Sequence, residues 1–87
     1  MHEKDDSISI TFRSFVLPPD SKDGFPLGKP LSLRVSPGTP VERLMDRIFA
    51  ERVNQIGMVV INDKAAERSM PLAEGDRVDV YGLLGGG

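Results

Sequence analysis

Residues 58–87 read MVVINDKAAERSMPLAEGDRVDVYGLLGGG, and this stretch decides how the chain folds. Met58 to Ile61 is a short apolar run, which reads as a strand buried on both faces or nearly so. Asn62-Asp63 follows as a turn, and Lys64-Ala65-Ala66 as a short return strand. Met70-Pro71-Leu72 then leads into Ala73-Glu74-Gly75-Asp76, a tight turn in which Gly75 supplies a positive φ. From Arg77 to Leu84 the pattern alternates, with Val78 and Val80 inward and Arg77, Asp79 and Tyr81 outward. Gly82 interrupts that strand, as a bulge or the start of flexibility would. Three glycines, Gly85-Gly86-Gly87, follow it.

Working outward toward the N-terminus, Ser36-Pro37-Gly38 is a turn and Thr39-Pro40-Val41-Glu42 has the form of a capping box. Thr39 is placed to cap the third free N–H, Pro40 to take the first helical position and Glu42 to reach back to the Thr39 amide. Val41, Leu44, Met45, Ile48 and Phe49 recur at helical spacing, with Glu42, Arg43, Asp46, Arg47 and Glu51 opposite them. This predicts one amphipathic helix ending near Val53 to Gln55, with Gly57 just beyond. Ser7 to Val16 alternates Ile8, Ile10 and Phe12 against Ser9, Thr11 and Arg13, a strand. Leu31, Leu33 and Val35 alternate with Ser32 and Arg34, a second strand able to pair antiparallel with the first. Between the two lies PPDSKDGFPLGKP, 13 residues with four Pro and two Gly, a loop long for a hairpin connection. Strand, strand, helix, strand, short strand, strand is an α+β arrangement of one helix on one mixed sheet.

Composition narrows the function. The chain has 87 residues, no Cys, one His and a formal charge of −2. Disulfides, thiolate metal sites and cysteine nucleophiles are excluded, and with only His2 in a polar leader so are a Ser-His-Asp triad and a His-based zinc site. At this length one modest core forms and little remains to wall a deep cleft, so a carrier, adaptor or binding module is expected before an enzyme. Charge near neutral without a basic cluster argues against nucleic acid as the main partner. The longest apolar run, Met58 to Ile61, is far short of the ~20 residues of a membrane helix, and the charged start Met1 to Asp6 lacks a signal peptide's apolar stretch. A soluble, cytoplasmic protein is expected. Glu74, Asp76 and Asp79 form an acidic cluster, but a metal there conflicts with the turn role of Gly75 and Asp76. Lys4, Lys22, Lys29 and Lys64 read as solvated.

The run V-V-I-N-D-K from Val59, then Pro71-Leu72-Ala73-Glu74-Gly75-Asp76-Arg77-Val78, then a glycine end resembles the β-grasp sulfur carriers of the MoaD/ThiS family. Asn62-Asp63 stands where that family usually has Asn-Gly, and three glycines stand where it has two. The resemblance implies a ubiquitin-like β-grasp fold, a mixed sheet of four to five strands with one main helix on one face. It divides the chain into a leader over 1–6, the β-grasp domain over 7–84 and a flexible tail over 85–87. It implies a carrier rather than an enzyme, with Gly87 and Gly86 as the site of adenylation and thiocarboxylate formation. Gly85 would thread the tail into a partner's channel, and Tyr81, Leu83 and Leu84 would contact that partner. The implied partners are a ubiquitin-activating-type adenylyltransferase, a sulfur donor, and the molybdopterin synthase large subunit or a thiazole synthase. No cofactor is expected on this chain, the ATP being used by the activating partner, and the free protein is expected to be a monomer.

Elementary chemistry fits this assignment. A terminal carboxylate is ionised at pH 7 and a poor electrophile, with pKa about 3.3–3.7. It is nonetheless a nucleophile toward the α-phosphate of a nucleotide, in a partner's active site. Glycine lacks a Cβ and passes close to channel walls, and three extended residues reach roughly 10 Å. Two other readings share the sequence: a ubiquitin-like modifier ending in an isopeptide bond, and a non-catalytic β-grasp binding module with an inert tail.

Overall fold

In the computed structural model the described residues are 6–17 and 26–83. Five strands form one sheet: β1 (Ile8–Ser14), β2 (Leu31–Val35), β3 (Ile56–Ile61), β4 (Lys64–Ala65) and β5 (Arg77–Gly82). Their spatial order is β2-β1-β5-β3-β4. β1 pairs antiparallel with β2, as the alternating patterns predict, with Ile10 opposite Leu33. β1 and β5 run parallel at the centre, with Phe12 opposite Val78. β3 pairs antiparallel with β5 and with β4. One α-helix, α1 (Val41–Phe49), is continued by a 3-10 helix over Ala50–Gln55. This is the mixed five-stranded, single-helix β-grasp arrangement that the resemblance implies.

The core lies between α1 and one face of the sheet. Val41, Leu44, Met45 and Phe49 of the helix join Ile10, Phe12, Val35, Val59, Ile61, Val78 and Val80 of the strands in a single buried cluster. Phe12 and Phe49 bring their ring centroids to 6.4 Å. Because only one face is covered, β3 is not buried on both sides as its apolar run suggested. Val59 and Ile61 point into the core, whereas Met58 is 49% exposed on the bare outer face.

The helix start departs from the expected capping box. Pro40, not Thr39, is the N-cap residue, and no side chain caps the helix. The Thr39 hydroxyl instead donates to Ser36 O at 2.6 Å, and the Thr39 amide goes to the same oxygen. The first free amides are met from across the chain: Val41 N–H donates to Met70 O and Glu42 N–H to Arg68 O, each at 2.9 Å. A loop remote in sequence has taken over the work of a local cap. The α-helix also stops early. Ala50 adopts φ 48°, which breaks the helical ladder after Phe49, so the predicted last turn becomes 3-10.

The turns of the 58–77 segment form as read. Asn62 and Asp63 take φ of 53° and 72°, left-handed values that these two residue types tolerate better than most. Gly75 supplies its predicted positive φ, 84°.

Candidate functional site

The outer face of the sheet is assembled by strand alternation. With Ile10 and Phe12 turned into the core, Arg13 and Phe15 fall on the opposite side, next to Asp79 and Tyr81 of β5. The Ser14 hydroxyl, buried at the end of β1, donates to Val16 O at 2.7 Å and accepts from Val16 N–H at 2.9 Å. That tight turn leads the chain away from the strand, while Phe15 N–H stays bonded to Val80 O at 2.9 Å. The Phe15 ring is thereby held flat against Tyr81, with centroids 5.1 Å apart and planes 11° from parallel. Met58 is the cross-strand partner of Tyr81 on the other side.

Among the described residues, the exposed large apolar side chains are Phe15, Leu17, Leu27, Met58, Met70 and Leu83. All but Met70 gather at this one end of the sheet, where β5 runs out. An open groove of about 610 Å³ lies there, lined by Phe15, Leu17, Leu27 and Leu83, with Arg52 and Gln55 of the 3-10 helix among its walls. Exposed apolar clusters of this kind mark protein–protein contact surfaces more often than single exposed residues do. Gly28, at φ 76°, lets the loop cross beside Phe15: a Cβ there would come within 3.0 Å of the ring.

Charge borders the patch. Arg13 Nε donates to Asp79 Oδ1 at 3.0 Å, and its guanidinium lies 5.4 Å from the Phe15 ring centroid. The hydrogen bond to Asp79, followed by the carboxylate's charge, holds the Arg13 guanidinium above its ordinary range. Asp79 faces outward as its place in the alternation predicts, yet it is only 8% exposed because Arg13 covers it. Arg52 Nη1 makes one long bond, 3.4 Å, to Leu17 O.

Of the residues singled out in sequence, Tyr81 and Leu83 stand together at this end, Tyr81 half-buried under Phe15 and Leu83 57% exposed. Leu84, Gly85, Gly86 and Gly87 lie outside the described residues, as does the 18–25 part of the long loop. The acidic cluster is occupied by protein partners. Glu74 Oε1 accepts from Ser9 N–H, Asp76 accepts from Asn62 Nδ2 and Ala73 N–H, and Asp79 accepts from Arg13. Among the described residues no three His, Cys, Asp or Glu side chains gather as metal ligands would, and no helix is long and apolar enough to cross a membrane. Phe15 and Met58 were missed, although strict alternation from Phe12 and from Val59 points both outward. Leu17, Leu27 and Arg52 carry no such signal, because irregular backbone places the two leucines and the 3-10 helix places Arg52.

No family model matches the chain, and no curated protein matches it. Solved structures do. The Haloferax volcanii HVO 2177 protein, known from a solution structure, superposes with a TM-score of 0.71 at 14% identity, over 100% of this chain and 93% of that one. Ubiquitin of Caldiarchaeum subterraneum gives 0.60 at 17% identity, over 93% of this chain and 99% of that one. A de novo protein designed on the basis of ubiquitin gives 0.59 at 19% identity, over 93% and 94%. What the chain shares with these proteins is their fold, the ubiquitin-like β-grasp.

Proposed function

We propose that this chain is a ubiquitin-like sulfur carrier, adenylated at Gly87 by an activating adenylyltransferase and then bearing sulfur as a C-terminal thiocarboxylate for molybdopterin or thiamine synthesis. One observation carries the reading. β5, second strand of the central parallel pair, runs out at Leu83 beside the Phe15–Tyr81–Met58 patch, and the sequence continues from there as Leu84-Gly85-Gly86-Gly87. A partner seated on the patch therefore receives the glycine segment at its own surface. In the first step a Gly87 carboxylate oxygen attacks the α-phosphorus of ATP and pyrophosphate leaves. In the second a persulfide on a donor protein displaces AMP from the acyl carbon, and a second thiol then cleaves the S–S bond, which leaves the thiocarboxylate on Gly87 and a disulfide on the donor. The chain's own share is to dock and to present a segment without side chains.

A second reading, a ubiquitin-like protein modifier, draws support from the fold shared with an archaeal ubiquitin. It uses the same activation but ends in an isopeptide bond to a lysine. Intact-mass analysis of the full chain from its native cells separates the two. The carrier reading expects free protein heavier by one oxygen-to-sulfur exchange, and the modifier reading expects conjugates of higher mass. Deleting Gly87, or Gly86→Ala, is expected to lower transfer by about 10²-fold through misplacement of the reacting carbon, with the thermal midpoint unchanged. A native terminus never activated under any growth condition overturns both readings and leaves a binding module.

A further inference from the structure

β3 carries one residue more than the strand it faces. Ile56 stands opposite Gly82 and Met58 opposite Tyr81, which leaves Gly57 as the extra residue of a β-bulge. Gly57 is not among the glycines with positive φ, so backbone conformation does not explain it. Space does. A Cβ at residue 57 would lie 2.6 Å from Gly82 O, 2.9 Å from Gly82 C and 3.0 Å from Leu83 Cα. All three are backbone atoms, so no change of rotamer relieves the overlap. Gly82 is the contrasting case: a Cβ there would meet Val16 Cγ2 at 3.4 Å, an ordinary contact. Across the bulge, Leu83 N–H donates to Gln55 O at 3.3 Å. The outgoing chain is thus held, one residue beyond the end of β5, against the last residue of the 3-10 helix, just before β3.

We propose that Gly57 is a positioning residue for the C-terminal segment: by letting the chain lie against the bulge as far as Leu83, it fixes where the chain leaves the sheet relative to the docking patch. The inference rests on the carrier reading for its purpose but not for its geometry. Three glycines reach only roughly 10 Å, so a displaced starting point is paid for in fewer productive approaches to the partner's nucleotide.

The test uses the full chain as wild type, Gly57→Ala and Gly82→Ala, measured first by amide hydrogen exchange. The expected result for Gly57→Ala is exchange at Leu83 faster by about tenfold, with Val78 and Val80 unchanged and with Gly82→Ala like wild type. Leu83 exchange unchanged in Gly57→Ala, or accelerated equally with Val78 and Val80, overturns the proposal. The second measurement is thiocarboxylate formation in an ATP-supplied extract of the native cells, followed against carrier concentration. Gly57→Ala is expected to lower the maximal rate about tenfold while the half-saturating concentration holds, because the patch is intact. A rise in half-saturation with the maximal rate preserved overturns the positioning role. Should Gly57→Ala not fold, Leu83→Pro removes the same hydrogen bond without adding an atom at residue 57; because Leu83 also lines the groove, Leu83→Ala is its control, and the maximal rate must fall in Leu83→Pro beyond any fall in Leu83→Ala. If wild type itself forms no thiocarboxylate while the exchange result stands, the carrier reading fails and the geometric assignment of Gly57 does not.

Discussion

At the end of the sheet where β3 turns into β4, polar side chains are bonded to backbone; at the end where β5 runs out to Leu83, apolar side chains lie open to solvent. The first end is closed by a short network. Asn62 Nδ2 donates to Asp76 Oδ1 at 2.9 Å while Asn62 Oδ1 accepts from Arg77 N–H at 2.9 Å. Asp76 Oδ2 accepts from Ala73 N–H at 2.8 Å, and Ser9 N–H reaches Glu74 Oε1 at 3.0 Å. Left-handed backbone there falls on Asn62, Asp63 and Gly75, the residue types that bear it cheaply. The second end places left-handed backbone on Ala50 at φ 48°, where a Cβ is strained, and leaves Phe15, Leu17, Leu27, Met58 and Leu83 exposed. A chain of this size has little stability to spare. The difference teaches that local order is concentrated at the end away from Leu83.

The comparison can be broken from either side. Asp76→Ala should have the largest effect on folding, about 2 kcal/mol and a fall in thermal midpoint of roughly 10 °C, with partner affinity untouched. Urea unfolding alongside a titration of the proposed activating enzyme checks both halves. Met58→Asp should do the reverse: stability within about 0.5 kcal/mol of wild type, and docking weakened about tenfold, or 1.4 kcal/mol, by a desolvated carboxylate at the patch. Equal losses in the two variants would erase the division between the ends.

Smaller effects sharpen it. A double-mutant cycle on Arg13→Ala and Asp79→Ala should return a small favourable coupling, since the pair is only partly covered. Ala50→Gly should raise stability by up to about 1 kcal/mol by relieving the strained φ. Thr39→Ala should cost no more than about 0.5 kcal/mol, below the ~1 kcal/mol of a true helix cap, because its hydroxyl bonds the preceding turn. Equilibrium denaturation of each variant is sufficient.

Local patterns carried most of the fold. Alternation in 8–14 and 31–35, helical spacing in 41–49 and turn chemistry at Asn62-Asp63 and Gly75 each act between near neighbours, so the chain displays them. What it hid depends on distant contacts. The amides of Val41 and Glu42 are satisfied by Met70 and Arg68, and Ser36-Pro37-Gly38-Thr39 offers no hint of that. Asp79 read as an outward acid, and only the parallel neighbour β1 brings Arg13 over it. At the candidate site, Tyr81 and Leu83 were legible from the terminal strand, and Phe15 was recoverable from its place two residues after Arg13. Gly57 looked like a helix terminator, and its close approach to Gly82 appears only once β3 and β5 are paired.

The placement of β5 bears on how the protein is made. Its strands emerge from the ribosome in the order β1 to β5, yet the sheet needs the last of them at its middle, between β1 and β3. Until residues 77–82 have been synthesised, the β1–β2 hairpin and the β3–β4 hairpin have no common neighbour, and the inward faces of both remain wet. The domain closes only when the strand leading into the glycine segment has arrived. A nascent chain cut short before that strand cannot complete the sheet, so it is exposed to proteases.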